Sequence, residues 1–407
     1  MAQTLLTGGT VLDVTTGARE QADVLIDGDR IAAVGRPAGF GGGSSVARRV
    51  DVAGLTILPG YANNHVHLGW SGMGWDGGPT GILKEQALND SDGINGIKAV
   101  ANLRKSLKVG LTYLRDLGMN QSGFDAKEAL RRGMVKGPKL QIAGKAIMCT
   151  GGHTWWCGRE ADGVDGIRQA VREQIKNGAD IIKIMASERT PQFTLEELRA
   201  AADEAHLLGK KITTHATIPV AIRNVVQAGF DSVEHGGLAD DDVLQTMAER
   251  GIGVTPTLSP GVLQTERGTE RGMPADVAAA RRVRFEKNPP GAPLITMREA
   301  GIRFSFGTDA GSPCVEHDQI MGEIQALLKY GVVTSPLDVI QMLTINGALL
   351  RGDADQTGTV QEGKYADLVV IDGDPVADAT ALGNVRHVFV NGEQLVTDGE
   401  MSDWYSW

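Results

Sequence analysis

The apolar positions of the chain change rhythm twice, and the changes divide it into three stretches. In the N-terminal stretch the runs are short and strand-like. Residues 22–34 form two apolar runs joined at Asp27-Gly28-Asp29, a hairpin signal. Residues 41–45 read as a Gly-rich loop, and strand character resumes over 50–58. The C-terminal stretch follows the same pattern. There 366–372 reads as a buried strand, and 385–390 and 393–397 flank Asn391-Gly392. An Asn-Gly pair is the strongest short hairpin signal, because both residues tolerate the positive φ angles of a tight turn. Two β-rich ends around a different middle predict one small β-sandwich built from residues 1–57 and 356–407.

Between them, over 58–355, short apolar runs alternate with helical spacing. The runs 111–117, 140–146, 181–185, 212–215, 232–235, 253–257 and 303–308 are each followed by a helical stretch. Over 195–208, for example, apolar residues recur at helical spacing after the capping sequence Thr194-Leu-Glu-Glu197. Gly110, Gly178, Gly209, Gly229, Gly251 and Gly301 stand before the next strand, as expected of helix C-caps. With the strand that ends at His65–His67, this makes eight β/α units. The predicted class is α/β: a (β/α)8 TIM-type barrel with the small sandwich beside it. A doubly wound open sheet is the rival, but no Gly-rich dinucleotide fingerprint follows the first strand.

Composition narrows the function. A chain of 407 residues is long enough for a large barrel and a satellite. A formal net charge of −10 argues against a nucleic-acid or anionic-membrane partner. No apolar run is long enough to span a membrane, and the start lacks the basic and apolar regions of an export signal. Cys149, Cys157 and Cys314 do not form a disulfide-dense pattern, so a reduced, cytoplasmic setting is expected.

The unusual residues then fall in one kind of place. His65 and His67 close the first strand, two apart and therefore on the same side of it. Lys183 lies within Ile181-Ile-Lys-Ile-Met185. His215 ends the fifth strand, His235 the sixth, and Asp309 follows the eighth in Gly307-Thr-Asp-Ala-Gly311. Taken singly, each has a bland reading. A strand-end histidine is usually a hydrogen-bonded structural residue, Lys183 fits an ion pair with a buried acid or a Schiff base, and Asp309 fits a helix cap. Taken together they occupy the C-terminal strand ends, the face where barrel enzymes keep their active sites. His and Asp there are ligands for zinc, with manganese or cobalt also suited. An ammonium at Lys183 is expensive to bury among Ile and Met. Carboxylation by CO2 would turn it into an anion with two oxygens, able to bridge two cations.

These residues resemble the amidohydrolase superfamily, in the branch of imidazolonepropionase-like proteins and barrel-type Xaa-Pro and related dipeptidases. The likeness runs from the N-terminal strands through His65-Val-His67, Lys183, His215, Glu234-His235-Gly-Gly237 and Gly307-Thr308-Asp309. It continues to Gly358-Thr-Val-Gln-Glu-Gly-Lys-Tyr-Ala-Asp-Leu368. The resemblance implies a metal-dependent hydrolase of amide bonds with two divalent ions. His65, His67 and Asp309 would hold one, His215 and His235 the other, and carboxylated Lys183 would bridge them. It further implies that a metal-bridging hydroxide attacks the carbonyl while Asp309 relays its proton to the leaving amine. His153, in Thr150-Gly-Gly-His-Thr-Trp-Trp156, matches a histidine that contacts substrate in that branch and would stabilise the oxyanion; its bland reading is a structural loop residue.

Substrate signals are thinner. Trp70 and Trp75 follow the first strand, and Trp155 and Trp156 the third, so they fit an aromatic-walled pocket or, equally, packing of loop on loop or a subunit interface. Trp404, Tyr405 and Trp407 fit a pinned tail or a subunit contact, and a homo-oligomer is expected. The lysine strand runs into Ser187-Glu188-Arg189-Thr190, where many relatives have small residues. Arg189 there fits a clamp on a substrate carboxylate, or a surface pair with Glu188 or Glu160. The expected substrate is a small dipeptide-like or N-acyl amino acid molecule. The alternative is a non-peptide amide, urea, carbamate or lactam. A non-catalytic scaffold is disfavoured, because all six ligand positions stand.

Overall fold

Parallel strands form the centre of the structure, a computed structural model that describes residues 3–35, 46–74, 81–118 and 120–402. The loop 41–45, Trp75, Trp404, Tyr405 and Trp407 lie outside the described residues. Strand Tyr61–Val66 pairs with Leu111–Asp116, and that with Lys139–Ile142. Ile181–Met185 pairs in turn with Lys211–Ala216, Ser232–His235 and Gly253–Thr255 along a second parallel ladder. Backbone bonds join the two ladders at both ends. Asp180 N donates to Ile142 O at 2.8 Å on one side. On the other, Val254 bridges Phe304, Asn64 N donates to Phe306 O at 2.8 Å, and His67 N donates to Ala310 O at 2.7 Å. The parallel segments thus follow one another in a closed hydrogen-bonded circuit, with helices between successive strands.

Several of these segments are shorter as strands than the apolar pattern predicts, and the run 253–257 pairs only over Gly253–Thr255. Pairing stops at Ile142 and resumes at Ile147–Met148. Gly144 turns the chain between them at φ 69°, where a Cβ would lie 2.5 Å from the Phe124 ring. Over 303–308 only a single bridge forms, because Phe306 N is spent on Met342 O instead of the ladder.

The helices start and stop where the sequence signals stand. Leu195–Leu207 opens with a full capping box between Thr194 and Glu197. Gly229 and Gly251 end Pro219–Ala228 and Asp241–Arg250 in the left-handed conformation, which places no Cβ against the last turn. No helix among the described residues is long and apolar enough to cross a membrane.

The two termini meet in one nine-stranded sheet. Leu368–Asp372 pairs antiparallel with Leu55–Pro59, joining the C-terminal strands to Gln3–Leu12, Arg19–Asp27 and Arg30–Gly35. Gln3–Leu12 changes partner at a bulge between Leu6 and Gly9, pairing Val46–Asp51 before it and Leu55–Pro59 after it. Strands from both termini are therefore hydrogen-bonded into one connected sheet with a core of its own. Leu368 and Val370 point into its own core with Val24, Ile57 and Phe389. Val369 and Ile371 point the other way, into the main core. Burial on both faces explains why this run is continuously apolar instead of alternating.

Candidate metal centre

At the C-terminal ends of the parallel strands the histidine rings gather into one group, edge-on or tilted to one another. Ring centroids lie 5.3 Å apart for His65 and His67, 4.9 Å for His65 and His235, and 4.4 Å for His215 and His235. Asp309 Oδ1 lies 3.0 Å from His67 Nε2 and 3.5 Å from His65 Nε2. His65, His235 and Asp309 each offer a ligand atom, all within 4.8 Å of one another. That trio draws from both of the ligand sets expected from the sequence, so the two sets adjoin.

The donors suit a divalent cation. Burial, with Lys183 adding to it, drives the pKa of His65 well below its ordinary value, so a ring nitrogen keeps its lone pair. Burial does the same for His215 and His235, whose neighbouring imidazoles reinforce it. Burial works against the Asp309 carboxylate, but His65 and His67 outweigh it and hold its pKa below the usual range. Neutral imidazoles with a carboxylate match the preferences of zinc and similar ions.

In three of the rings Nδ1 is engaged. His65 Nδ1 lies 2.9 Å from Glu234 Oε2, His67 Nδ1 lies 3.1 Å from Gly118 O, and His235 Nδ1 lies 2.6 Å from Thr257 Oγ1. The carboxylate and the carbonyl only accept, which places the proton on Nδ1 of His65 and His67 and leaves their Nε2 free to ligate. Two of the candidate ligands sit on strained backbone, His235 at φ 69° and Asp309 at φ 56°. Left-handed φ costs a non-glycine residue about 1–3 kcal/mol and persists where surrounding structure enforces it. Here Asn63 does part of that for Asp309: its Oδ1 accepts from Thr308 N at 3.1 Å and its Nδ2 donates to Thr308 Oγ1 at 2.8 Å.

Lys183 is 1% exposed, between Ile182 and Ile184. Among the described residues no hydrogen bond or ion pair reaches its ammonium. Burial pushes its pKa down to about 8, with Arg115 adding to the effect and Glu234 and Asp309 opposing it. Burial thus favours the neutral amine over the ammonium.

His153 joins the group, its ring 4.5 Å from that of His215, and burial lowers its pKa. Trp70 is buried and lies flat on His67, with Trp156 packed behind it at 5.6 Å. Those two tryptophans therefore pack loop against loop behind a candidate ligand. Trp155 instead is 43% exposed, with Lys84 Nζ 5.1 Å over its ring. Arg189 is exposed and, among the described residues, pairs with neither Glu188 nor Glu160. His317, a few residues beyond Asp309, is buried, and its Nε2 donates to Trp70 O at 3.1 Å.

The polar floor of the site was not evident from the sequence. Arg115 and Glu234 are both buried and paired at 2.7 Å, and Thr213 Oγ1 donates to Glu234 Oε1 at 2.5 Å. Asp116 accepts from Leu68 N at 2.7 Å and Gly118 N at 3.0 Å, tying the first strand end to the second. The signal that singled out Lys183, a charge within an apolar strand, is also present at Arg115.

The amidohydrolase family model matches residues 56–395. An ochratoxinase of Aspergillus niger is 27% identical over 377 residues, covering 83% of this chain and 75% of the relative. A prolidase solved with N-methylphosphonate-L-proline superposes with a TM-score of 0.84 at 30% identity, covering 98% of this chain and all of that one. A Xaa-Pro dipeptidase solved with methionine in its active site also gives 0.84, at 26% identity over 97% of this chain and 99% of the other.

Proposed function

The chain belongs to the amidohydrolase family and is a hydrolase acting on carbon–nitrogen bonds, and we propose that it cleaves amide bonds of dipeptide-like or N-acyl amino acid substrates at a centre of two divalent ions, zinc by preference. We place that centre at the mouth of a (β/α)8 barrel formed by 58–355, with 1–57 and 356–407 as the satellite; the closed circuit of parallel strands supports this reading. The observation that carries the proposal is the convergence of His65, His67, His215, His235 and Asp309 beside a buried Lys183 with no partner of its own among the described residues.

His65, His67 and Asp309 would hold one ion, His215 and His235 the other, and Lys183, carboxylated on Nζ with release of one proton, would bridge them. Bound there, divalent ions lower the pKa of water and polarise a carbonyl oxygen. Asp309 takes the proton of the attacking water and passes it to the departing amine, whose poor leaving ability makes that transfer necessary. His153 donates a hydrogen bond to the carbonyl oxygen as negative charge builds on it. Glu234 and Gly118 keep His65 and His67 turned to the centre. Arg189, free of any ion pair among the described residues, supplies charge for a substrate carboxylate.

One feature favours a second reading, in which the substrate is a neutral amide, urea, carbamate or lactam. Glu188 adjoins Arg189 and its charge acts on His153, so an anion at the mouth opposes a carboxylate substrate. Kinetics on a matched pair, free acid against C-terminal amide, separate the two readings. The dipeptide-like reading expects the amide to lose about 10–100-fold in kcat/KM, the scale of one charge-assisted hydrogen bond, and Arg189→Ala to remove the difference. Equal rates on both substrates in the wild type would leave the neutral-substrate reading standing.

A further inference from the structure

Behind the ligand candidates lies a buried carboxylate on a helix that contributes no ligand. Glu323, in Ile320–Lys329, is fully buried. It accepts from Leu258 N at 2.8 Å, Ser259 N at 2.6 Å and Ser259 Oγ at 2.7 Å. Those donors follow directly on Thr257, whose backbone is left-handed at φ 51°. A β-branched residue rarely adopts that conformation, so something must hold it there. Thr257 is also the residue whose hydroxyl meets His235 Nδ1 at 2.6 Å. If the turn relaxed to negative φ, the hydroxyl would leave the imidazole.

We propose that Glu323 is a positioning residue for the metal centre: by gripping Leu258 and Ser259 it holds Thr257 in its strained turn, where the hydroxyl accepts Nδ1–H of His235 and leaves Nε2 to the ion. The inference rests on the functional reading above, since it needs His235 to be a ligand. It assigns Glu323 a purpose beyond capping the helix Ser259–Arg267. A cap alone would contribute to stability and leave metal binding untouched.

The test is zinc affinity of the full-length, metal-stripped protein, measured by competition with a chromophoric chelator. Thr257→Val and Glu323→Gln should each weaken binding by about 10–100-fold, the usual effect of losing a partner behind a ligand. The double variant should be no weaker than the worse single one, because both act through one contact. Thr257→Ser, which keeps the hydroxyl, should restore binding to within about threefold. The visible spectrum of the cobalt(II)-loaded protein should shift alike in Thr257→Val and Glu323→Gln. If Glu323→Gln does not fold, Ser259→Ala removes one of the three grips and should weaken zinc in the same direction. Wild-type affinity in Glu323→Gln, whatever its Tm, or losses that multiply in the double variant, would overturn the inference alone. Unchanged zinc binding in His235→Ala would overturn the functional reading, and this inference with it.

Discussion

Trp70 lies flat against His67, ring centroids 4.4 Å apart with 25° between the planes. The stack fixes the imidazole from one side while Gly118 O holds Nδ1 from another. Since Trp70 is buried, Trp70→Ala should cost about 3–5 kcal/mol of stability through the cavity it leaves. It should also lower metal content, because His67 gains freedom to turn away. Trp70→Phe keeps a ring in place and should retain most of both. Urea unfolding and elemental analysis of the two variants check this; full metal content in Trp70→Ala would make the stack mere packing.

His317 supports that tryptophan from behind and titrates in an unusual range. Burial pushes its pKa from 6.5 to about 4, and its Nδ1 is buried without a hydrogen-bond partner among the described residues. The unfolded chain takes up a proton below pH 6.5, whereas the folded chain does so only near pH 4. Stability should therefore fall as pH drops through that window, by on the order of 3 kcal/mol at most from this group. His317→Gln keeps a donor for Trp70 O and should lose less over the same interval. Parallel stability curves for the two proteins between pH 6.5 and 4 would remove His317 as a source of acid sensitivity.

Asp309 has two duties in the proposed reaction, ligand and proton carrier. Asp309→Asn retains an oxygen to ligate but cannot take up the proton, so metal should stay largely bound while kcat falls by about 10²–10⁴-fold. Metal content and steady-state rates on the same preparation decide it. Near-normal kcat at neutral pH would leave Asp309 as a ligand only.

Much of this site is legible in the sequence alone. His65, His67, Lys183, His215, His235 and Asp309 stand in or at the ends of short apolar runs, and helices between the runs force those ends to one face. The strand alternation and the capping signals at Thr194 and Gly251 are local, so sequence carries them. What is illegible is long-range. Glu234 meets Arg115 across 119 positions and His65 across 169, and only the closed circuit of strands brings them together. Thr257 reads as an ordinary strand residue until its positive φ is seen, and Glu323 as a helix residue until it is found buried. The break at Gly144 and the weak pairing of 303–308 are hidden for a similar reason. Each depends on a distant partner, the Phe124 ring in one case and Met342 O in the other.

The central claim is that this chain gathers two divalent ions around Lys183 to hydrolyse amide bonds. It is tested most directly by dialysing the stripped wild type and Lys183→Ala against zinc and bicarbonate, then counting bound zinc per chain. Two ions in the wild type, and one or none in Lys183→Ala with hydrolysis lost alongside, is the predicted result. Fewer than two ions in the wild type, or two retained in Lys183→Ala, would contradict it.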